Sequence, residues 1–352
     1  MPLFDSRALE GFAARIFEAA GTPRDIAETV ARSLLLSDLC GHASHGIFRV
    51  PFYLEFIRSG QVDPAERPEV ARRAENTALV DGRWGFGQLT AAEVARTAAA
   101  MAKERDIALV GAVRCNHVGR VGEWAEIAAD LGMVMIMTAA LGPDIYEAAP
   151  YGGSKRRLGT NPIAASVPAE RHQPMILDYA TTAMASGKVQ VAAAKGESVP
   201  ITAVLDSEGR PSTNPNDFMG GGSLQPVGAH KGYALALLID ALSNCLTGAE
   251  DTDRGYTIGV LAIAINPEVW RPRADYHRAV DDLFDRMKST PTAPGFEEVL
   301  IPGEPERRAR EVNARRGIEL AEATATSLRR AAEQLGVDPG AVDAARMSGS
   351  PA

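Results

Sequence analysis

The segment IALVGAVRCNHVGRVGEWAEIAADLGMVMIMTAAL, residues 107–141, decides the fold class. It opens on an apolar run, 107–113, of strand length and bounded by polar residues. Residues 121–131 then carry apolar side chains at helical spacing and stop at Gly132, and MVMIMT reads as a second strand. Upstream, TALVDG at 77–82 is a further strand, and Thr90 with Glu93 predicts the opening of a long alanine-rich helix that ends near Arg105. This alternation of strands and helices is the pattern of an α/β protein.

Elsewhere, Thr22-Pro23-Arg24-Asp25 has the spacing of a capping box with proline at the first helical position, predicting a helix to about Leu39. A second helix is expected over 51–58, strands over 175–182 (MILDYATT) and 256–265 (YTIGVLAIAI), and a helix from Lys231. Short strands and Gly/Pro-rich loops fill 140–230, the C-terminal region is largely helical, and the small, polar tail AARMSGSPA is expected to be disordered.

A chain of 352 residues, 45% hydrophobic, can bury the cores of two domains. Its net charge of −8 argues against nucleic acid, whose phosphates need clustered Lys and Arg. Cys40, Cys115 and Cys245 are scattered and form no CxxC, which fits a reducing compartment better than a disulfide framework. The start, MPLFDSRALEGF, reads as a helix rather than a signal peptide, and no apolar run approaches the roughly 20 residues of a membrane span. The expectation is a soluble cytoplasmic protein.

Four clusters carry chemistry. In GHASHGIFRV, 41–50, a metal could take Cys40, His42 and His45, a hydrolase could use Ser44 with His45, or an anionic substrate could dock on Arg49 beside His45. A polar turn after a helix is the plain alternative. Arg49 and Tyr53 share one face if 47–58 is helical, and guanidinium beside imidazole suits a small carboxylate that exchanges a proton. Asn116-His117 follows a strand, where α/β folds build their sites. Asp178, at the end of an apolar strand and downstream of GTNP (159–162), either orients a cofactor or histidine or caps the helix that follows. Lys231, in GAHKGYALALLIDAL (228–242), stands at a helix start where a cation is disfavoured unless a phosphate joins it, with Gly228 and Gly232 allowing close approach; the alternative is a solvated lysine. No GxGxxG follows a strand, and GxxxxGK[ST], HExxH and GxSxG are missing from the sequence.

Taken together, SHGIFRV (44–50), GFGQLTA (85–91), NHVGRVGEWA (116–125), YGGSKRRLGTNPIA (151–164), LDYATT (177–182), HKGYALALLIDALSNCLTG (230–248) and APGFEEVLIPGEPE (293–306) resemble the malate/L-lactate dehydrogenase family, which is distinct from the Rossmann enzymes of the same name. The resemblance spans residues 5–335. It implies a non-Rossmann NAD(P)-binding fold with a mixed sheet flanked by helices, plus a helix-rich second domain. It also implies a substrate-side domain of 1–118 with 295–335, a cofactor domain of 119–294, and a homodimer, which leaves 336–352 as the tail expected to be disordered from its composition. His117 matches the acid–base histidine, with His45 beside it, and Ser44, Arg49 and Tyr53 match substrate-side positions. Thr160, Asn161, Asp178, Tyr179, Ala180, Lys231 and Gly232 match positions around NAD or NADP, with no metal. Lys155, Arg156 and Arg157 are candidates for a 2′-phosphate. The implied reaction is hydride transfer between nicotinamide and a small 2-hydroxy or 2-oxo acid; the alternatives are reduction of a cyclic imine carboxylate, or a cofactor-binding member without activity. The chain departs from the pattern at Ala139-Ala140-Leu141-Gly142, where many relatives carry polar residues, and at Tyr179.

Overall fold

The computed structural model describes residues 1–143 and 145–347. The chain begins with β1 (Leu3–Phe4), α1 (Ser6–Ala19) and α2 (Arg24–Leu39). Two linked 3-10 turns, Ala43–His45 and Ile47–Arg49, lead into α3 (Val50–Arg58). Next come β2 (Glu69–Arg73), β3 (Thr77–Asp81), α4 (Gly87–Arg105), β4 (Ile107–Val113), α5 (Val121–Asp130) and β5 (Val134–Leu141). Then β6 (Ile163–Val167), β7 (Met175–Tyr179) and α6 (Ser186–Lys195) precede a small sheet of β8 (Val204–Leu205), β9 (Pro211–Ser212) and β10 (Ser223–Leu224), with α7 (Asn216–Met219) inside it. The chain continues through α8 (His230–Asp240), β11 (Ile258–Ile265), α9 (Arg273–Lys288), α10 (Glu304–Arg316), β12 (Ile318–Glu319), α11 (Glu322–Gln334) and α12 (Gly340–Ala344).

The main sheet has seven strands in the order β2-β3-β4-β11-β5-β6-β7. Only β3 and β4, joined by the α4 crossover, run parallel; the other pairs are antiparallel, so the sheet is mixed as expected. Its centre is β11, inserted between β4 and β5 and buried along nearly its whole length, which is why IGVLAIAI shows no polar face. Alternate residues of three strands (Val110 and Ala112, Val260 and Ala262, Met135 and Met137) meet the alanine-rich α4 and the inner face of α5 in one core. Small side chains on α4 let the helix lie close to the sheet. On the other face, α8 and the π-turn that extends it cover β5 and β11.

A second core joins α1, α2 and α3 to residues from the far end of the chain. Phe4, Phe12, Phe17 and Ile26 pack with Ile318, Leu328, Ala332 and Val342, and β1 pairs with β12. The C-terminal helices therefore complete the N-terminal helical unit. The expected boundary at residue 118 falls within a single sheet, since β2–β4 precede it and β5–β7 and β11 follow it.

Three expectations change. The tail from 336 is ordered as far as it is described: Val342 is buried, Met347 N–H donates to Leu3 O, and Arg346 bridges to Phe4, while 348–352 lie outside the described residues. Its apolar Val342 and Ala345 fill a gap against α1, which outweighs the polar composition. The capping box at Thr22 does not form. Pro23 itself takes the extended cap position (φ −55°, ψ 141°) and has no side-chain acceptor, leaving Thr22 buried one residue too far out. Helix α4 starts at Gly87 rather than Thr90, because its first turn is pressed onto the 116–117 backbone; a Cβ on Gly87 would lie 2.2 Å from Asn116 O.

Among the described residues no helix is long and apolar enough to cross a membrane. Because Leu328 is fully buried between the two ends of the chain, Leu328→Ala should lower the unfolding free energy by about 2–5 kcal/mol, read from urea denaturation.

Candidate active site

The sequence folds the first cluster into a compact turn. Helix α2 ends at Cys40, Gly41 takes the left-handed conformation (φ 83°) that turns the chain, and His42 N–H closes back on Ser37 O. The two 3-10 turns then present Ser44, His45 and Arg49 on successive steps. Ser44 Oγ lies 3.0 Å from His45 Nδ1, and Arg49 Nε donates to Ser44 O at 2.8 Å. The guanidinium lies over the rings of Phe48 and Phe52, 5.1 and 5.5 Å from their centroids. Its terminal nitrogens have no partner among the described residues, which leaves the fork open for an oxyanion.

His117 enters from the other core, just beyond β4. Asn116 is locked beneath it, its amide donating to Trp84 O and Gly85 O at 3.0 Å, so Asn116 serves the backbone and holds His117 in place. The His117 ring stacks on His45 with centroids 5.7 Å apart and an interplanar angle of 11°. Tyr53, on α3, brings its hydroxyl to 2.7 Å from His117 Nδ1 and accepts a hydrogen bond from Gln88 Nε2 at 2.8 Å. With Gln88 donating to that oxygen, the Tyr53 proton is free for Nδ1. Gly119 N–H also points at Nδ1, at 3.3 Å, so the neutral ring carries its proton on Nε2. Gln88 was not singled out at the sequence level, although it lies in the quoted GFGQLTA; nothing in its spacing marks it, because only the fold brings α4 beneath α3.

Both rings are held neutral. Burial, with Arg49 next in effect, holds His45 down at about 3, and the same causes push His117 well below its ordinary value. Burial raises Tyr53 and Tyr256, so both phenols stay protonated.

The cofactor-side candidates gather next to this cluster. Asp178, at the end of β7, accepts the Gly122 N–H at 2.8 Å and lies 3.9 Å from Arg120, so it caps α5 from outside rather than the helix that follows it in sequence. The segment after Tyr179 is pinned on both sides: Thr181 N–H donates to Thr160 O at 2.9 Å, and Val227 N–H donates to Thr181 O at 2.8 Å. That pairing sets the start of α8 alongside, with Lys231 exposed on its first turn. Gly232 is required there, since a Cβ would lie 2.1 Å from Val227 O. Ala180 is half-buried and Tyr179 exposed. Asn161 is fully buried, and its amide donates to Ala236 O and Asp240, so it ties the GTNP loop to α8.

A cavity of about 460 Å³ opens beside Asp178 and Tyr179, lined also by Arg120, Arg307, Arg310 and Glu306. Arg120 is buried and donates to Glu126 at 2.8 Å, while its Nε has no partner and is the one orphaned donor of the guanidinium. The three basic residues of the 155–157 turn lie elsewhere. Lys155 donates to Ser207 O, Arg156 donates to Gly222 O and covers the Phe218 ring, and Arg157 donates to Arg156 O. Sequence position pointed to that turn because it precedes GTNP; the arginines at the cavity come from α10 and the loop after β4, which no local pattern joins.

His42 pairs with Glu306 at 3.4 Å and Cys40 is buried, so neither turns towards His45. Ala139 and Ala140 are buried within β5, paired with Val260 and Gly259 of β11, so the apolar departure sits inside the sheet.

The sequence profile of the malate/L-lactate dehydrogenase family matches residues 4–329. The chain belongs to this family. It is 33% identical to a malate/(S)-sulfolactate dehydrogenase of Methanothermus fervidus over 92% of the chain and 95% of that protein. The sulfolactate dehydrogenase of Methanocaldococcus jannaschii superposes with a TM-score of 0.87 at 30% identity, covering 97% of this chain and 99% of that one. The Δ1-piperideine-2-carboxylate reductase of Pseudomonas syringae superposes with a TM-score of 0.81 at 28% identity, covering 94% and 100%. This family chain therefore carries a mixed α/β fold with two half-buried histidines, both held towards the neutral form, beside an uncommitted arginine.

That electrostatic state has a measurable signature. A histidine held neutral in the fold but free to protonate when unfolded contributes stability that is complete above 6.5 and lost as pH falls towards its folded value, about 3 for His45. Wild type should therefore lose stability relative to His45→Asn by up to about 1.4 kcal/mol for each pH unit below 6.5. Urea denaturation at pH 4.5, 5.5 and 7 reads this directly; parallel curves would mean that His45 takes up its proton in the fold.

Proposed function

We propose that this protein is an NAD(P)-dependent oxidoreductase that moves hydride between nicotinamide and the carbonyl carbon of a small 2-oxo acid, giving the 2-hydroxy acid. The observation that carries the reading is the open Arg49 fork beside the Tyr53–His117 pair: a carboxylate anchor and a positioned proton carrier in one cleft. Family membership supports it, as do the hydroxy-acid substrates in the names of relatives. The likeness to the piperideine-2-carboxylate reductase supports a second reading, a cyclic imine that carries the same carboxylate.

Arg49 binds the substrate carboxylate bidentately, and the aromatic rings around it exclude water and strengthen the pair. Ser44 orients His45 beside the substrate. His117 gives the carbonyl oxygen its proton in reduction and takes it back in oxidation, with Tyr53 and Gln88 holding the ring. Nicotinamide, when bound, supplies or accepts the hydride. Thr160, Asp178, Tyr179, Ala180 and Lys231 would border the cofactor, Asn161 and Gly232 would shape the backbone around it, and the unpartnered Nε of Arg120 would face its anionic part.

Arg49 also couples binding to protonation. Its charge opposes protonation of His117 in the free protein. A bound carboxylate cancels that repulsion, so substrate binding raises the affinity of His117 for the proton it must donate.

The test is steady-state kinetics with pyruvate, oxaloacetate and piperideine-2-carboxylate against NADH and NADPH. Arg49→Met should raise KM for the acid about 30-fold or more, the equivalent of ~2 kcal/mol, with NAD(P)H binding nearly unchanged. His117→Asn should lower kcat by roughly 10²–10⁴-fold. In reduction the rate should fall as pH rises through the pKa of His117, and in oxidation it should rise. The limb in kcat should lie at higher pH than the limb in kcat/KM, because only the complex contains the bound carboxylate. If His45→Asn abolishes turnover while His117→Asn spares it, the acid–base role belongs to His45.

We further propose a homodimer in the cytoplasm. Along α8 and its π-turn extension, Leu237, Leu238 and Leu246 are 49%, 54% and 59% exposed in a stripe with Ala234 and Ala241, an apolar face that an isolated chain leaves in water. Leu237→Glu with Leu238→Glu should shift the sedimentation-equilibrium mass from dimer to monomer; an unchanged mass would remove this face from the interface.

A further inference from the structure

Asp38, the second-last residue of α2, is 6% exposed and takes no part in the chemistry above. Its side chain crosses the turn that follows the helix and accepts the Ile47 N–H through Oδ2 at 2.7 Å. Ile47 is fully buried and opens the 3-10 turn that ends at Arg49, so without Asp38 that N–H would be an unsatisfied donor in the interior. The carboxylate also lies flat against Gly46. A Cβ at Gly46 would stand 1.9 Å from Asp38 Oδ1 and 2.2 Å from Cγ. Gly46 has φ −88°, which any residue adopts, so glycine is needed there for the carboxylate and not for backbone freedom.

This contact falls at the joint between the two 3-10 turns. Ahead of it the chain carries Ser44 and His45; behind it comes Arg49, whose one side-chain hydrogen bond among the described residues runs back to Ser44 O. The backbone bonds of the joint, Gly46 N–H to Ala43 O and Arg49 N–H to Gly46 O, each lie within one turn or at its edge, so none of them ties the joint to α2. The Asp38 carboxylate does.

We propose that Asp38 is the positioning residue of the substrate site, fixing Arg49 relative to Ser44 and His45 by holding Ile47 N–H and seating Gly46. The kinetic side of this rests on the reading of Arg49 as the carboxylate anchor; the structural side does not. Substrate geometry is sensitive to small displacements, since a shift of about 1 Å can cost on the order of 10²-fold in rate.

The experiment compares Asp38→Ala, Asp38→Asn and Gly46→Ala with wild type, each with NADH or NADPH present, by amide hydrogen exchange and by kinetics. Asp38→Ala and Gly46→Ala should speed exchange in the peptide 41–50 tenfold or more while 107–113 in β4 stays protected. Both should raise KM for the 2-oxo acid tenfold or more with the NAD(P)H dissociation constant within twofold of wild type. Asp38→Asn, whose amide oxygen still accepts from Ile47, should recover most of the protection and of the KM. Unchanged exchange over 41–50 overturns the proposal, as does loss of protection spread equally into β4 or an Asp38→Asn variant no better than Asp38→Ala. Should wild type itself turn over no 2-oxo acid, the functional reading fails, and the exchange arm still decides the role of Asp38.

Discussion

The hydrogen bond between Tyr53 and His117 joins two cores at the site, beside the His45–His117 stack and the bond from Gln61 to Asn116. Tyr53 belongs to the helical core built from both ends of the chain, and His117 hangs from the end of β4 in the sheet core. Gln88, at the start of α4, completes the link, and the close approach of Gly87 to the 116–117 backbone fixes its length. The cleft that holds Arg49 exists because these contacts set the two cores at one spacing. Phe17 and Phe86 pack around the Tyr53 ring, so its hydroxyl is aimed by the core and not by solvent.

Around that link, charge is arranged by burial. Desolvation raises Asp38 and Glu123 to about 7, and raises Asp178 against the pull of Arg120, while it lowers both histidines. Each buried carboxyl has a job in holding backbone or neighbours: Asp38 takes Ile47 N–H, Asp178 takes Gly122 N–H, and Glu123 accepts from Ser33. Arg49 is left as the uncommitted charge at the cleft. Burial thus disfavours charge on the groups around Arg49, whose guanidinium has no carboxylate partner among the described residues.

Much of this was legible in the chain itself. β4, α5 and β5 declare themselves because each has a clean apolar period and a glycine or polar stop, and the cluster 44–53 stands out through its residue types, although the sequence alone left its chemistry open between an anion, a metal, a hydrolase and a plain turn. The insertion of β11 between β4 and β5 was not legible, since a fully buried strand carries no mark of its neighbours. Nor was the fate of Asp178. A cap reads locally when its helix is next in sequence, and this one serves a helix that begins at Val121. Asp38 and Gln88 escaped notice for the same reason: a polar residue on a helix says nothing until the fold shows what it is buried against.

The placement of β11 has a consequence for how the chain comes into being. As the polypeptide leaves the ribosome, β4 and β5 emerge with facing edges that stay open until residues 258–265 arrive to fill the gap. The helical core waits longer still, for Ile318, Leu328 and Val342 to return to Phe4. Neither core can close during most of synthesis, so the nascent chain carries an open sheet and an unfinished helical cluster together. Such long-range closure makes folding slow and exposes strand edges to wrong partners. The residues from 318 to 342 are therefore the ones that close the second core and end its exposure to wrong partners.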